Sequence, residues 1–186
     1  LIDKKTFRNN QLTKLKNSDN VDSQEEQKIL DNLFSTFEWQ EAHSIATVIS
    51  GPIEFPTKNL IKQAQIEGKQ VYLPKVMPKR QMAFLPFIGY DQLVKSNFGL
   101  LEPAYDETLV NQQIDLIIVP GLAFALDSNN RLSFGGGYYD RFLSHYLGRT
   151  VSLVPPMMSF TTNKWPIEDH DIKINTLVTD NEIIRI

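Results

Sequence analysis

Residues 114–119, Ile-Asp-Leu-Ile-Ile-Val, leave this chain few folds to choose from. As a strand the run is apolar on both faces, which places it centrally in a sheet covered on both sides. Pro120-Gly121 ends it. Ile45–Ile49 is a second short apolar run suited to a buried strand. Thr57 can then cap a helix in which Leu60, Ile61 and Ala64 face inward, with Gly68 as its left-handed stop. Val71-Tyr72-Leu73 follows as another strand. Strand, helix and strand with short connections form a βαβ unit, so the sheet is at least partly parallel.

Further strands are expected over Met82–Phe87, ending at Pro86 or a little beyond, and over Val151–Val154. Leu177–Thr179 and Glu182–Ile186 read as a closing pair around Asp180-Asn181. Residues 1–17 carry a helical pattern. Ser23-Gln24-Glu25-Glu26 reads as a capping box ahead of the stripe Ile29, Leu33, Phe37. Another helix is expected from Tyr138 to Leu147, with Tyr138, Phe142 and Tyr146 on one face, Tyr139, Leu143 and Leu147 beside them, and Gly148 as terminator. The expected architecture is α/β: three layers, α/β/α, around a mixed, largely parallel central sheet.

A length of 186 residues suits one domain, 1–186, and 41% apolar against 22% charged residues excludes a disordered or low-complexity chain. The net charge of −3 argues against a general nucleic-acid binder. Absent cysteine removes disulfide scaffolds, thiol chemistry and zinc-thiolate sites. No apolar run approaches the length of a membrane span, and Leu1–Lys5 lacks the apolar stretch of a signal peptide. The missing initial Met suggests a trimmed or incomplete chain. A cytoplasmic monomer without nucleic-acid or membrane partners is the expectation.

Chemistry concentrates in Arg131-Leu-Ser-Phe-Gly-Gly-Gly-Tyr-Tyr-Asp140-Arg141. Successive glycines before a helix clear every Cβ from a tight turn, so backbone amides can converge on an anion. Arg131 and Arg141 offer planar donors to phosphate oxygens. An isolated glycine triplet is as readily a mobile turn. Its place near a central strand's C-terminal loop, the edge at which open α/β sheets bind ligands, favours the cradle. Asp140, in the first helical turn, either complements the helix dipole or serves as a ligand for a hard cation on nucleotide phosphates. Trp165–Asp171 gathers three carboxylates and His170, more often a solvated loop, with His170 a weak zinc candidate. His43 and His145 read as structural or exposed. Lys4, Lys5 and Arg8 share one side of the first helix, usually a solvated face. Glu54 follows the Ile45–Ile49 strand toward the ligand edge. Walker-type and dinucleotide glycine loops are absent, as is Gly-x-Ser-x-Gly.

These segments, in this order, resemble the 5-formyltetrahydrofolate cyclo-ligase family. The resemblance is carried by Asp115–Phe124, Arg131-Leu132 and the stretch Gly135–Leu143. Phe98-Gly-Leu-Leu-Glu-Pro103, His170-Asp171 with Thr179, the basic Lys4–Arg8 and Glu54 with Thr57 extend it end to end. It implies an ATP- and Mg²⁺-dependent closure of 5-formyltetrahydrofolate to 5,10-methenyltetrahydrofolate, releasing ADP and phosphate. Lys4, Lys5 and Arg8 would then hold ATP phosphates, and Arg131, Leu132, Ser133, Phe134, Gly135, Gly136, Gly137, Tyr138 and Tyr139 would line the nucleotide. Phe134 to Tyr138 would also touch folate, Ile49 and Glu54 would contact the pterin, and Asp140 and Asp171 would serve magnesium. No catalytic side chain is assigned.

Ser133 stands where glycine is common in the family, Phe160 where Gln is usual, and Asn175 replaces a frequent Asp. Those departures keep a second reading open, a folate- or nucleotide-binding protein without turnover. A phosphosugar isomerase or acyl-carrier enzyme on a similar scaffold is weaker, since no motif for its base or nucleophile is visible.

Overall fold

The computed structural model describes residues 1–19 and 21–186. Its main sheet has seven strands: β1 (Ser44–Ala46), β2 (Gln70–Val76), β3 (Met82–Pro86), β6 (Leu116–Ile118), β9 (Arg149–Leu153), β11 (Thr176–Val178) and β12 (Ile183–Arg185). They lie in the order β12-β11-β9-β6-β1-β2-β3, with β2, β1, β6, β9 and β11 parallel. Only the edge strands β3 and β12 run antiparallel. The run at 114–119 thus supplies the fourth strand of seven, as its two apolar faces demand.

Alternate side chains feed two cores. Ile45, Leu116 and Ile118 join one, and Ala46 and Ile117 the other. The first lies under α2 (Ser23–Ser35), α3 (Phe37–Glu41) and α4 (Lys58–Ile66), with Ile29, Leu33, Trp39 and Leu60 fully buried. The second lies under α1 (Lys4–Lys16) and α5 (Tyr138–Leu143), joined there by a small sheet, β10-β7-β8. Its strands are β7 (Ala123–Ala125), β8 (Asn130–Leu132) and β10 (Ser159–Phe160). Each fully buried aliphatic side chain contributes roughly 1.5–3 kcal/mol. The last pair, β4 (Leu93–Lys95) and β5 (Leu101–Pro103), forms a separate hairpin.

Four local expectations need correction. Asp22, not Ser23, caps α2, because its carboxylate accepts from the Gln24 and Glu25 amides. Phe37 leaves the Ile29–Leu33 stripe, since Thr36 ends α2 and caps α3. Phe37 is instead exposed between the Arg149 and Arg185 guanidiniums. The Thr57 hydroxyl makes no cap bond; it donates to the Val48 carbonyl and ties α4 to the loop after β1. Finally, α5 stops at Leu143, well short of Leu147, which is exposed. The Tyr146 hydroxyl donates to the Ile114 carbonyl, drawing the chain out of the helix toward β6.

Candidate active site

The C-terminal ends of β1 and β6 open into a cavity of about 500 Å³. That volume suits a small-molecule ligand. Val48 and Ile49 follow β1, Pro120 follows β6, and Val76 and Met82 come from the β2–β3 hairpin. Phe98, Leu100 and Leu101 close one side and remain largely exposed. The walls are mostly apolar, with a few polar groups set into them. Glu54 accepts a 2.6 Å bond from the Gly51 amide, yet burial pushes its carboxyl above the ordinary carboxylate range. The buried Tyr139 hydroxyl has no partner among the described residues, and burial together with the nearby Glu54 charge raises its pKa. The cavity wall thus offers a partly buried acceptor, Glu54, and a buried donor without a partner among the described residues, Tyr139, polar groups of the kind that orient a ligand.

Gly136 and Gly137 belong to the same wall. The turn is left-handed at Gly135 (φ 104°) and Gly137 (φ 75°), a backbone that favours glycine. A Cβ on Gly136 would meet the Tyr138 ring at 2.8 Å, and one on Gly135 would reach the Arg8 guanidinium carbon at 3.4 Å. Arg8 lies along this turn because its Nε donates to the Ser133 carbonyl at 2.8 Å. The aromatic group Phe7, Phe160 and Trp165 seats α1 there, with ring centroids 5.4–6.1 Å apart. Phe160, one of the family departures, is thus a packing residue. Since α5 has only six residues, any attraction for an anion here would come from turn amides and guanidiniums more than from a helix dipole.

Behind the turn, Arg131 is buried. Its Nη1 donates to the Pro120 carbonyl at 3.0 Å and its Nη2 to Asp140 at 3.3 Å, while its Nε has no partner among the described residues. Burial lowers the Arg131 pKa and the Asp140 charge opposes that shift. The same Asp140 Oδ1 accepts from the Ile172 amide, one residue from Asp171. Asp171 is held by Lys4 Nζ at 2.6 and 2.8 Å and by the Glu168 amide. Lys4 also pairs with Glu168, whose pKa that bond lowers.

Of the three N-terminal cations, only Arg8 touches the glycine turn. Lys4 is committed to carboxylates, and the exposed Lys5 side chain has no hydrogen bond or ion pair among the described residues. The Leu132 side chain is in the core, so only its backbone can face a ligand. Ile49, Glu54, Arg131, Ser133, Phe134 and Tyr138 all line the cavity. Sequence reasoning missed the walls Val76, Met82 and Leu101, and the Lys75–Glu102 ion pair (2.9 Å) that ties β2 to β5. Apolar strand residues carry no mark separating a cavity wall from core.

The donor set fits a hard divalent ion. Asp140 Oδ2 makes no hydrogen bond to a described residue, and one or two carboxylates with water are the usual complement for magnesium. Glu168, His170 and Asp171 also converge, but Lys4 fills that cluster.

A family model described as the 5-formyltetrahydrofolate cyclo-ligase family matches residues 2–180. The 5-formyltetrahydrofolate cyclo-ligase of Escherichia coli (strain K12) is 32% identical over 149 residues, covering 76% of this chain and 80% of that protein. The Haemophilus influenzae protein of the same name is 29% identical over 163 residues, covering 81% and 86%. Aquifex aeolicus 5,10-methenyltetrahydrofolate synthetase, solved by NMR, superposes with a TM-score of 0.80 at 28% identity, covering 98% of this chain and 92% of that one. A Mycoplasma pneumoniae 5,10-methenyltetrahydrofolate synthetase shares the fold, with a TM-score of 0.71 at 19% identity.

Proposed function

Because the chain belongs to the 5-formyltetrahydrofolate cyclo-ligase family and is an ATP-dependent ligase, we propose that it closes 5-formyltetrahydrofolate to 5,10-methenyltetrahydrofolate at this cavity. The observation that carries the reading is the shared wall: Gly136 and Gly137 belong both to the glycine turn and to the cavity that contains Glu54 and Tyr139. A triphosphate on the turn and a reduced pterin in the cavity would meet at their reactive ends.

The formyl oxygen is a poor leaving group while it remains amide-like. Transfer of the γ-phosphoryl group onto it leaves ADP and creates an O-phosphorylated iminium at the formyl carbon. N10 attacks that carbon, the C–O bond breaks, phosphate departs and N10 loses its proton, giving the methenyl ring. Such a transfer calls for positioning and charge neutralisation rather than a protein nucleophile, in keeping with the absent Cys or Ser constellation.

Arg8 and the turn amides bind the phosphates, and Arg131 supports them from behind through Asp140 and the turn. Glu54, when ionised, accepts hydrogen bonds from the pterin ring, and the apolar walls exclude water. Asp140 and Asp171 would hold magnesium, which supplies charge neutralisation on nucleotide phosphates. Lys4 would move from Asp171 toward phosphate as those carboxylates take the ion.

Purified protein given 5-formyltetrahydrofolate, ATP and Mg²⁺ should develop the methenyl absorbance and release one phosphate per product formed. Binding of both ligands without phosphate release, beside an active control enzyme, would overturn the proposal.

A further inference from the structure

The β2–β3 hairpin turns through Pro78–Gln81, closed by the Met77 amide on the Gln81 carbonyl at 2.9 Å. Its two central residues are Lys79 (φ 60°) and Arg80 (φ 57°), both left-handed. Hairpin turns of this hand usually carry Asn or Gly there, and strain in other residues tends to persist where their placement matters. Arg80 is exposed, with no hydrogen bond or ion pair to any described residue. A Cβ on Gly137 would lie 3.8 Å from Arg80 Nη1, as a Cβ on Gly135 would lie 3.5 Å from Arg8 Nη1.

Two guanidiniums therefore approach one glycine turn, Arg8 from α1 beside Gly135 and Arg80 from the hairpin beside Gly137. Neither has a carboxylate partner among the described residues, so no acidic side chain among them neutralises the pair. Cations gathered unpaired against an amide-rich turn are suited to a ligand of high negative charge. We propose that Arg80 is a further nucleotide-phosphate ligand, which the strained hairpin holds beside Gly137 as α1 holds Arg8 beside Gly135. This rests on the cyclo-ligase reading and adds to it a phosphate contact from outside the glycine-tyrosine motif. Val76 and Met82, at the hairpin's base, line the cavity, so the same element joins the folate wall to the phosphate clamp.

The test compares Arg80→Ala, Arg80→Gly and Arg80→Lys with the wild type, by calorimetric titration with ADP and by KM for each substrate. Loss of one charge-assisted contact should raise the ADP Kd and the ATP KM about tenfold in the Ala and Gly variants, with partial recovery in Lys. The folate KM should stay within about twofold, a spread too small to signal a lost contact. Arg80→Gly should also melt higher than Arg80→Ala, because glycine accepts the left-handed backbone. An unchanged ADP Kd in a folded Ala or Gly variant would overturn the proposal, as would an effect confined to folate KM, which would assign Arg80 to the substrate's carboxylates. Wild-type protein that binds ADP but makes no methenyl product would refute the cyclo-ligase reading, while the variants' ADP affinities would still decide Arg80.

Discussion

Arg131 and Asp140 form an ion pair of 3.3 Å in which the guanidinium is almost wholly sealed from solvent. The pair fastens β8 to the first turn of α5, and so fixes both ends of the glycine turn between them. Asp140 accepts a second bond from the Ile172 amide, which brings Asp171 to the same place.

Replacing Asp140 separates charge from shape. In Asp140→Asn the side-chain oxygen can still accept from Arg131 and Ile172, so losing the counter-charge to Arg131 should cost less stability than truncation to Ala. The transition-state penalty should be about 2.7–4 kcal/mol, as for loss of one catalytic electrostatic contact. Asp140→Ala strands a buried guanidinium and should cost about 3 kcal/mol of stability as well. Urea unfolding and kcat/KM measured on both variants check the split. Normal turnover in the Asn variant would remove Asp140 from the metal site.

Glu54 should make folate binding pH-dependent above the ordinary carboxylate range. Its folded pKa is raised by burial, so the proton returns at a higher pH than in the unfolded chain. The folate KM should rise as pH falls through that raised pKa, because a protonated carboxyl is a weaker acceptor for the pterin's donors and turns one oxygen into a donor. Stability follows the opposite sense. It is fully present below the unfolded pKa and declines as pH rises through the folded one. Glu54→Gln should therefore melt slightly higher at neutral pH, lose the pH dependence and bind folate about tenfold more weakly, the equivalent of roughly one charged hydrogen bond.

Gly135→Ala should harm the phosphate side alone. A left-handed alanine costs about 1–2 kcal/mol, and relief of that strain would shift the turn on which Arg8 rests, 3.4 Å from the new Cβ. The expected result is a higher ATP KM with the folate KM unchanged, read by steady-state kinetics in each substrate.

Phe160→Ala should loosen the seat of α1 by opening its contacts with Phe7 and Trp165. A stability loss of about 1.5 kcal/mol, the low end for a large apolar side chain, should accompany weaker ATP binding through Arg8. Thermal melts and ADP titration measure the two effects.

Much of this was legible in the sequence, and the limits have physical causes. Leu116–Ile118 betrays its central place because both faces are apolar. The βαβ unit at β1–α4–β2 shows through periodicity and Gly68. The cap of α2 slips by one residue because Asp22 and Ser23 are both good caps, and only geometry chooses. The early stop of α5 depends on Tyr146 reaching Ile114, a contact no local pattern encodes. At the site, the glycines, Glu54, Arg131 and the aspartates stand out by residue type. Val76 and Met82 look like core, and Arg80 like an ordinary surface cation until its backbone is seen.

The account stands or falls on where the formyl oxygen goes. With substrate carrying ¹⁸O in the formyl group, mass spectrometry of a single turnover should find the label in the released inorganic phosphate, one atom per molecule. Phosphate free of label, with the methenyl product formed at normal yield, would contradict it.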